Sequence, residues 1–455
     1  MITNDTIIAI ATAPGMGAIA VLRLSGNDAI NQVAQVFRGK TPLEKAPGYS
    51  LHYGSIMDEG NTLDEVVLSV FRGPKSYTGE NVVEISCHGS IYIQQAILQL
   101  FLKRGVRLAE PGEFSMRSFF NGKMDLSQAE AVADLIHSES AASAKIALQQ
   151  MRGGFSKELA SLRDQLIYFA SLIELELDFA EEDVEFANRE QLEELLQEIE
   201  NVLIRLSSSF AIGNAIKNGI PVSIVGAPNA GKSTLLNALL QDERAIVSEI
   251  AGTTRDTIED EIEIDGLRFR FIDTAGLRQT DDVVESIGIR KAYEKIQQAE
   301  IVLYLYDATR KAEEIEAEYL DISQKTEGKK MLVLANKSDL NPPSKPSFIR
   351  HAYHQISAAH NQGLDEVQKA LVNLVKGDKN IGQEVIVTNA RHYQNLHLSL
   401  QTILRVKENL AMGVTGDFLA LDVREALRYL GNITGAIEID RDILGTIFGK
   451  FCIGK

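Results

Sequence analysis

The run Gly226-Ala227-Pro228-Asn229-Ala230-Gly231-Lys232-Ser233 sets glycines, a lysine and a hydroxyl at the spacing of a loop that wraps phosphate. The apolar Val222-Ser223-Ile224-Val225 before it reads as a buried strand, and Thr234 to Leu240 after it as a helix. Strand, loop and helix are the context such a loop requires. Glycine lets the backbone close on an anion, whose charge meets main-chain N–H groups and the helix amino terminus. Asn229, Ala230, Gly231, Lys232, Ser233 and Thr234 are the expected contacts. Lys232 supplies positive charge to the β and γ phosphates, and the Ser233 hydroxyl is a magnesium ligand.

Asp273-Thr274-Ala275-Gly276 follows a second strand, Leu267 to Ile272. There an acidic group holds magnesium through water, and a glycine amide senses the terminal phosphate. Between the two segments lies Gly252-Thr253-Thr254-Arg255-Asp256, from which Thr254 is the second hydroxyl expected on magnesium. Asn336-Lys337-Ser338-Asp339, after the strand Met331 to Ala335, points to guanine. The Asp339 carboxylate can accept from both N1–H and the 2-amino group of guanine, which adenine does not offer. Lys337 can lie over the base and Asn336 can tie the segment to the phosphate loop, while Ser357-Ala358-Ala359 turns backbone amides toward the guanine oxygen. Five segments in this order imply a GTP/GDP site with Mg2+.

One position departs from the common Ras-like arrangement. The residue after Asp273-Thr274-Ala275-Gly276 is Leu277, where a water-orienting glutamine is usual. Asn229, Arg255 and Glu285 are the replacements available, and a monovalent cation can supply the charge that an arginine finger provides elsewhere.

The elements that must position these groups differ along the chain. Up to about residue 120, short β-branched runs alternate with glycine and proline: Ile7 to Ile10, Ala18 to Leu24, Val66 to Val70 and Val82 to Ser86 as strands, Ile91 to Lys103 as a helix. From Leu126 apolar residues recur at three and four, as in Leu192, Leu195, Leu196, Ile199, Leu203 and Leu206, which predicts long helices. The helical pattern stops around Gly213 to Pro221. Further strands are expected at Ile301 to Tyr306 and His354 to Ile356, and helices return over Val385 to Asn409 and Asp417 to Leu430. The fold class expected is multidomain α/β plus α-helical, a doubly wound sheet inserted into a helical domain and preceded by a small α/β domain. The boundaries expected are 1–120, 121–215, 216–379 and 380–455.

Composition narrows the partners. A net charge of -17 argues against nucleic-acid binding by bulk electrostatics, although a local basic patch remains open. Acidic residues crowd Glu174 to Glu200, a solvated helix face or a docking surface for a basic partner. Two cysteines, Cys87 and Cys452, are too few for a disulfide framework or a structural zinc site. With no apolar run of about 18 residues and no signal-peptide order at the start, a cytoplasmic protein without a membrane span is expected.

The flanks carry more. Asn4-Asp5-Thr6-Ile7, Leu22-Arg23-Leu24-Ser25-Gly26, Ser76-Tyr77-Thr78-Gly79-Glu80, Pro111-Gly112-Glu113-Phe114-Ser115, Lys123-Met124-Asp125-Leu126 and Phe451-Cys452-Ile453-Gly454-Lys455 stand around the nucleotide motifs. Together they resemble the tRNA modification GTPase family known as MnmE or TrmE over nearly the full length. The resemblance implies a homodimer whose amino-terminal domain binds 5-formyl-tetrahydrofolate. It also implies an FAD-dependent partner, and a tRNA whose wobble uridine receives an aminomethyl-type group at carbon 5. Matched by motif, the folate contacts would be Arg23, Glu84, Lys123 and Lys455. Cys452 would belong to the modification site, although a lone thiol there is equally a packed small hydrophobe. K+ would be held by the Asn229 side chain and by oxygens in Ser248, Glu249, Ile250, Ala251, Gly252 and Thr253, chiefly Ser248, Ile250 and Thr253, and Glu285 would orient water. The competing reading is an RNA-binding or ribosome-assembly switch. It calls for an appended basic module, which this acidic chain does not display.

Overall fold

The computed structural model describes residues 5–178, 189–241, 260–272, 297–340, 344–376 and 385–435. The chain forms two compact units. One comprises Met1–Ala133, Gln150–Glu174 and Val423–Lys455, the other Asp134–Gln149 and Leu175–Asp422.

The first unit opens with β1 (Ile7–Ile10), β2 (Ile19–Ser25), α1 (Ala29–Val36), β3 (Phe37–Gly39), β4 (Ser50–Asp58), β5 (Asn61–Phe71), β6 (Val82–His88), α2 (Ile91–Lys103), β7 (Arg107–Leu108) and α3 (Glu113–Phe120). The strands form one seven-stranded sheet in the order β3-β4-β5-β6-β2-β1-β7. Alternation sets its faces. Val66, Leu68 and Val70 of β5 point with Leu22, Leu24 and Ile85 onto α1 and α2, where Val33, Ile97 and Phe101 meet them. The opposite face leaves Tyr53 (66%) and Val67 (39%), register partners on β4 and β5, exposed together with Leu51 (71%) and Ile19 (67%).

A partly buried ion network ties α3 to the start of the sheet. Arg117 reaches Asp5 at 2.7 Å, Glu80 at 3.1 Å and Glu113 at 3.0 Å, while Arg107 pairs with Asp5 and Glu113. Burial pushes the Glu113 carboxyl up, but hydrogen bonds from Arg107, the Glu110 amide and Arg117 prevail and hold it below the usual carboxylate range. Helices α4 (Leu126–Ile136), α5 (Ala141–Met151), α6 (Gly154–Asp178) and α7 (Arg189–Asn218) follow. At the head of α4 a reciprocal cap explains Asp125: its Oδ1 accepts from the Gln128 amide at 2.9 Å, and Gln128 Oε1 accepts from the Asp125 amide at 3.0 Å.

The second unit holds β8 (Ile220–Val225), α8 (Lys232–Gln241), β9 (Asp260–Ile264), β10 (Leu267–Phe271), β11 (Ile301–Asp307), α9 (Ala312–Lys325), β12 (Lys330–Asn336), β13 (Ala352–Gln355), α10 (Leu364–Lys376) and α11 (Ala390–Ala411). α12 (Gly416–Thr434) completes the described chain. The sheet order is β13-β12-β11-β8-β10-β9, parallel except for the antiparallel β9–β10 pair. β11 is buried on both faces, as a covered parallel strand must be. Ile301, Leu303 and Leu305 face α8 and α10, and Val302, Tyr304 and Tyr306 face α9.

α7 runs on to Asn218, past the expected stop, because Gly213 is not a breaker. It makes room: a Cβ there would lie 2.1 Å from the Val387 carbonyl oxygen. The Val387 amide also donates to Ser209 Oγ at 3.0 Å, residues 385–389 are not helical, and α11 begins after Asn389, whose side chain caps it. Phe210 and Tyr393 stack at 4.5 Å, and Lys407 pairs with Glu200. Among the described residues no helix is long and apolar enough to cross a membrane.

Candidate active site

β8 lies between β11 on one side and β10 on the other, so the loop after it opens at the crevice where the sheet's winding reverses. Residues 226–231 form this loop, and α8 starts at Lys232. Asn229 sits in the left-handed region at φ 61° with its side chain exposed. Lys232 Nζ donates to the Gly226 and Ala227 carbonyl oxygens, both at 2.8 Å, so its ammonium lies against the loop that it is expected to complete. Ser233 and Thr234 are exposed in the first turn of α8.

The base-reading segment follows β12 and is bolted to the loop. Asn336, 3% exposed, donates from Nδ2 to the Ala230 carbonyl oxygen at 2.8 Å and accepts at Oδ1 from the Ala358 amide at 3.0 Å. One buried side chain thus joins the phosphate loop, the base-reading segment and the loop after β13. Gly231 makes this possible: at φ +96° it would place a Cβ 2.3 Å from Asn336 Nδ2. The Ser338 amide and hydroxyl both donate to the Ile356 carbonyl oxygen, at 3.1 and 2.9 Å. The Ser357 hydroxyl, with a nearby His360 contributing, holds the Asp339 carboxyl below its ordinary value, which keeps it an acceptor. His360 Nδ1 lies 2.9 Å from Ser357 Oγ and 3.6 Å from Asp339. Ala359 continues this loop in a short 3-10 turn.

Two residues of this cluster escaped sequence reading. Asp307 ends β11 and bonds Lys337 Nζ at 2.6 Å, and its position at the carboxyl end of a central strand was the available signal. His360 directly follows Ser357-Ala358-Ala359, but histidine in a loop gives no spacing to read.

In the first unit, β2 and β6 place Arg23 opposite Glu84. The two are bonded to each other, at 2.9 Å through Nε and 2.7 Å through a terminal nitrogen, rather than standing as separate charges. The Arg23 guanidinium also lies over the rings of Tyr77 and Phe114, at 5.6 and 5.7 Å. Lys123 Nζ donates to the Pro74 carbonyl oxygen at 2.9 Å, at the other end of the 74–79 segment that carries Tyr77. Cys87 faces the core, and burial pushes its thiol up to about 11, which keeps it protonated at neutral pH. Ser248 to Arg255, Asp273, Thr274, Ala275, Gly276, Leu277, Glu285, Cys452 and Lys455 lie outside the described residues.

Comparison with known proteins covers the chain from end to end. A family model described as the GTP-binding protein TrmE N-terminus matches residues 6–123, and one described as the MnmE helical domain matches residues 126–452. The tRNA modification GTPase MnmE of Christiangramia forsetii is 55% identical over 472 residues, covering 99% of each chain. That of Flavobacterium johnsoniae is 55% identical over 467 residues, covering 100% of each, and that of Parabacteroides distasonis 50% identical over 461 residues, covering 99% of this chain and 100% of its own. With both family models matched and curated tRNA modification GTPases about half identical along its whole length, the chain belongs to the MnmE family of tRNA modification GTPases.

Proposed function

We propose that this chain is a potassium-stimulated GTP hydrolase. With an FAD-dependent partner it installs a (carboxymethyl)aminomethyl group at carbon 5 of the wobble uridine of certain tRNAs, drawing on a one-carbon unit from 5-formyl-tetrahydrofolate. The observation that carries the nucleotide half is the Asn336 bridge, which holds the phosphate loop and the base-reading loop as one piece. Lys232 turns from the loop carbonyls to the β and γ phosphates, and the exposed Ser233 hydroxyl, with phosphate oxygens and water, suits the oxygen-only preference of magnesium. Thr254 and Asp273 complete that set. Leu277 has no hydrogen-bonding group, so Glu285 orients the attacking water, while the exposed Asn229 side chain offers an oxygen at the loop's rim. With Ser248, Ile250 and Thr253 it would hold potassium, which would supply positive charge to offset that developing on the phosphates.

The folate half rests on Arg23, Glu84, Lys123 and Lys455. Glu84, oriented by Arg23, accepts from the pterin N–H edge, and the aromatic faces of Tyr77 and Phe114 fix the guanidinium beside it. Self-association through the amino-terminal domain accounts for the apolar face of Leu51, Tyr53 and Val67, which a free surface would leave in water. The domains are 1–120 for folate and dimer formation, 121–215 and 380–455 for the helical part that carries Cys452, and 216–379 for GTP, in a cytoplasmic protein. Mass spectrometry of wobble nucleosides from a strain lacking the protein tests the whole. Unmodified or intermediate uridine is expected in that strain, with the modification restored by the wild type and not by Lys232→Ala; an unchanged nucleoside profile would move the reading to an assembly switch.

A further inference from the structure

Asp307 stands where β11 meets the nucleotide crevice, in register with Asn336 of β12, and the Ala308 amide donates to the Asn336 carbonyl oxygen at 2.9 Å. Both of its carboxylate oxygens are committed. Oδ1 accepts from the Thr309 amide at 2.9 Å and from the Thr309 hydroxyl at 2.7 Å, a local turn that fixes the side chain's direction. Oδ2 accepts from Lys337 Nζ at 2.6 Å. Burial opposes the charge, yet these bonds hold the carboxyl below its ordinary value. Lys337 itself has φ 62°, a backbone conformation that a side-chain-bearing residue adopts only when its surroundings hold it there.

We propose that Asp307 is a positioning residue for the purine base. By pinning the ammonium of Lys337, it holds the methylene stem of that lysine as a fixed apolar shelf on which the base of the nucleotide lies. A free lysine stem samples many rotamers and must be ordered when a ligand binds, whereas a pinned one is already ordered. The neighbouring roles are divided: Asn336 braces the phosphate loop, Asp339 reads the base edge and Asp307 sets how firmly any purine is held. The inference rests on the reading of Asp339 as the guanine reader, and the test separates the two.

Full-length protein with Asp307→Asn keeps the shape and the Thr309 contacts but loses the negative charge that faces Lys337. Stopped-flow release of a fluorescent GDP analogue, competed with GDP, inosine diphosphate and xanthosine diphosphate, reads the effect. The affinity for all three falls by about tenfold, the size of one weakened charge-assisted contact, through faster release. Their ratios stay fixed. In a Lys337→Met background, which keeps an apolar stem without the ammonium, Asp307→Asn costs no further affinity. Unchanged GDP affinity in Asp307→Asn, an equal further loss in the Lys337→Met background, or a changed GDP-to-xanthosine ratio would each overturn the proposal. Asp339→Asn, measured alongside, shifts preference toward xanthosine diphosphate; its failure to do so would strike the guanine reading itself and not the shelf.

Discussion

Asn336→Ala is the sharpest perturbation of the nucleotide crevice. The amide it removes serves two buried backbone groups, the carbonyl of Ala230 and the amide of Ala358, in residues 1% and 3% exposed. Each is left without a partner at about 1–3 kcal/mol, so the variant loses about 2–4 kcal/mol of local stability once some water entry is allowed. Global unfolding of a chain with several domains does not yield that number cleanly, because its transitions are not two-state. Native-state hydrogen exchange does. Amides of β8 and β12 should lose protection by roughly 30- to 1,000-fold, at about 1.4 kcal/mol per factor of ten. Those of β5 and β6 in the other unit should not change. Gly231→Ala should reproduce much of this effect by displacing Asn336 Nδ2, and the double variant should lose less than the sum. A loss below about 1 kcal/mol, in the range of an ordinary surface substitution, would refute the claim that this amide joins the loops.

Two further outcomes follow from charges. Glu113 is held below its ordinary carboxylate value, so its contribution is fully present above the unfolded-state value near 4.3 and is lost as pH falls through the folded one. The stability difference between wild type and Glu113→Gln, followed by hydrogen exchange in β1 and α3, should therefore shrink toward acid; a difference constant from pH 6 to 3 would contradict it. Replacing potassium with sodium at equal ionic strength should lower GTP turnover strongly, and equal rates in the two salts would remove the cation from the mechanism.

The strand, loop and helix around Lys232 were legible because phosphate binding fixes residue types at fixed spacing. β11 and β12 were legible because strands buried on both faces must be apolar throughout. β9 and β4 were not. Asp260-Glu261-Ile262-Glu263-Ile264 at a sheet edge buries only Ile262 and looks like a charged loop, and Ser50–Asp58 mixes exposed Leu51 and Tyr53 with buried Ile56. The pairing of Arg23 with Glu84 was hidden for another reason: sixty-one residues separate them, and only cross-strand register puts them opposite each other. Asp307 shows the same limit within the site, since its partner Lys337 lies just past the end of the neighbouring strand.

The seam at Gly213 bears on the order of folding. There the last turns of α7 and the chain entering α11 touch, at Val387 with Gly213 and Ser209, although the whole nucleotide-binding sheet lies between them in sequence. Closing a disordered loop of roughly 170 residues costs on the order of 4–5 kcal/mol in chain entropy before any contact rewards it. If the sheet folds first, its own termini deliver the two helices to one another and that cost has already been met. On that order, the apolar stripe of α7 stays without α11 until the inserted sheet is complete. A mutation that slows the sheet would then be felt as aggregation of the helices around it.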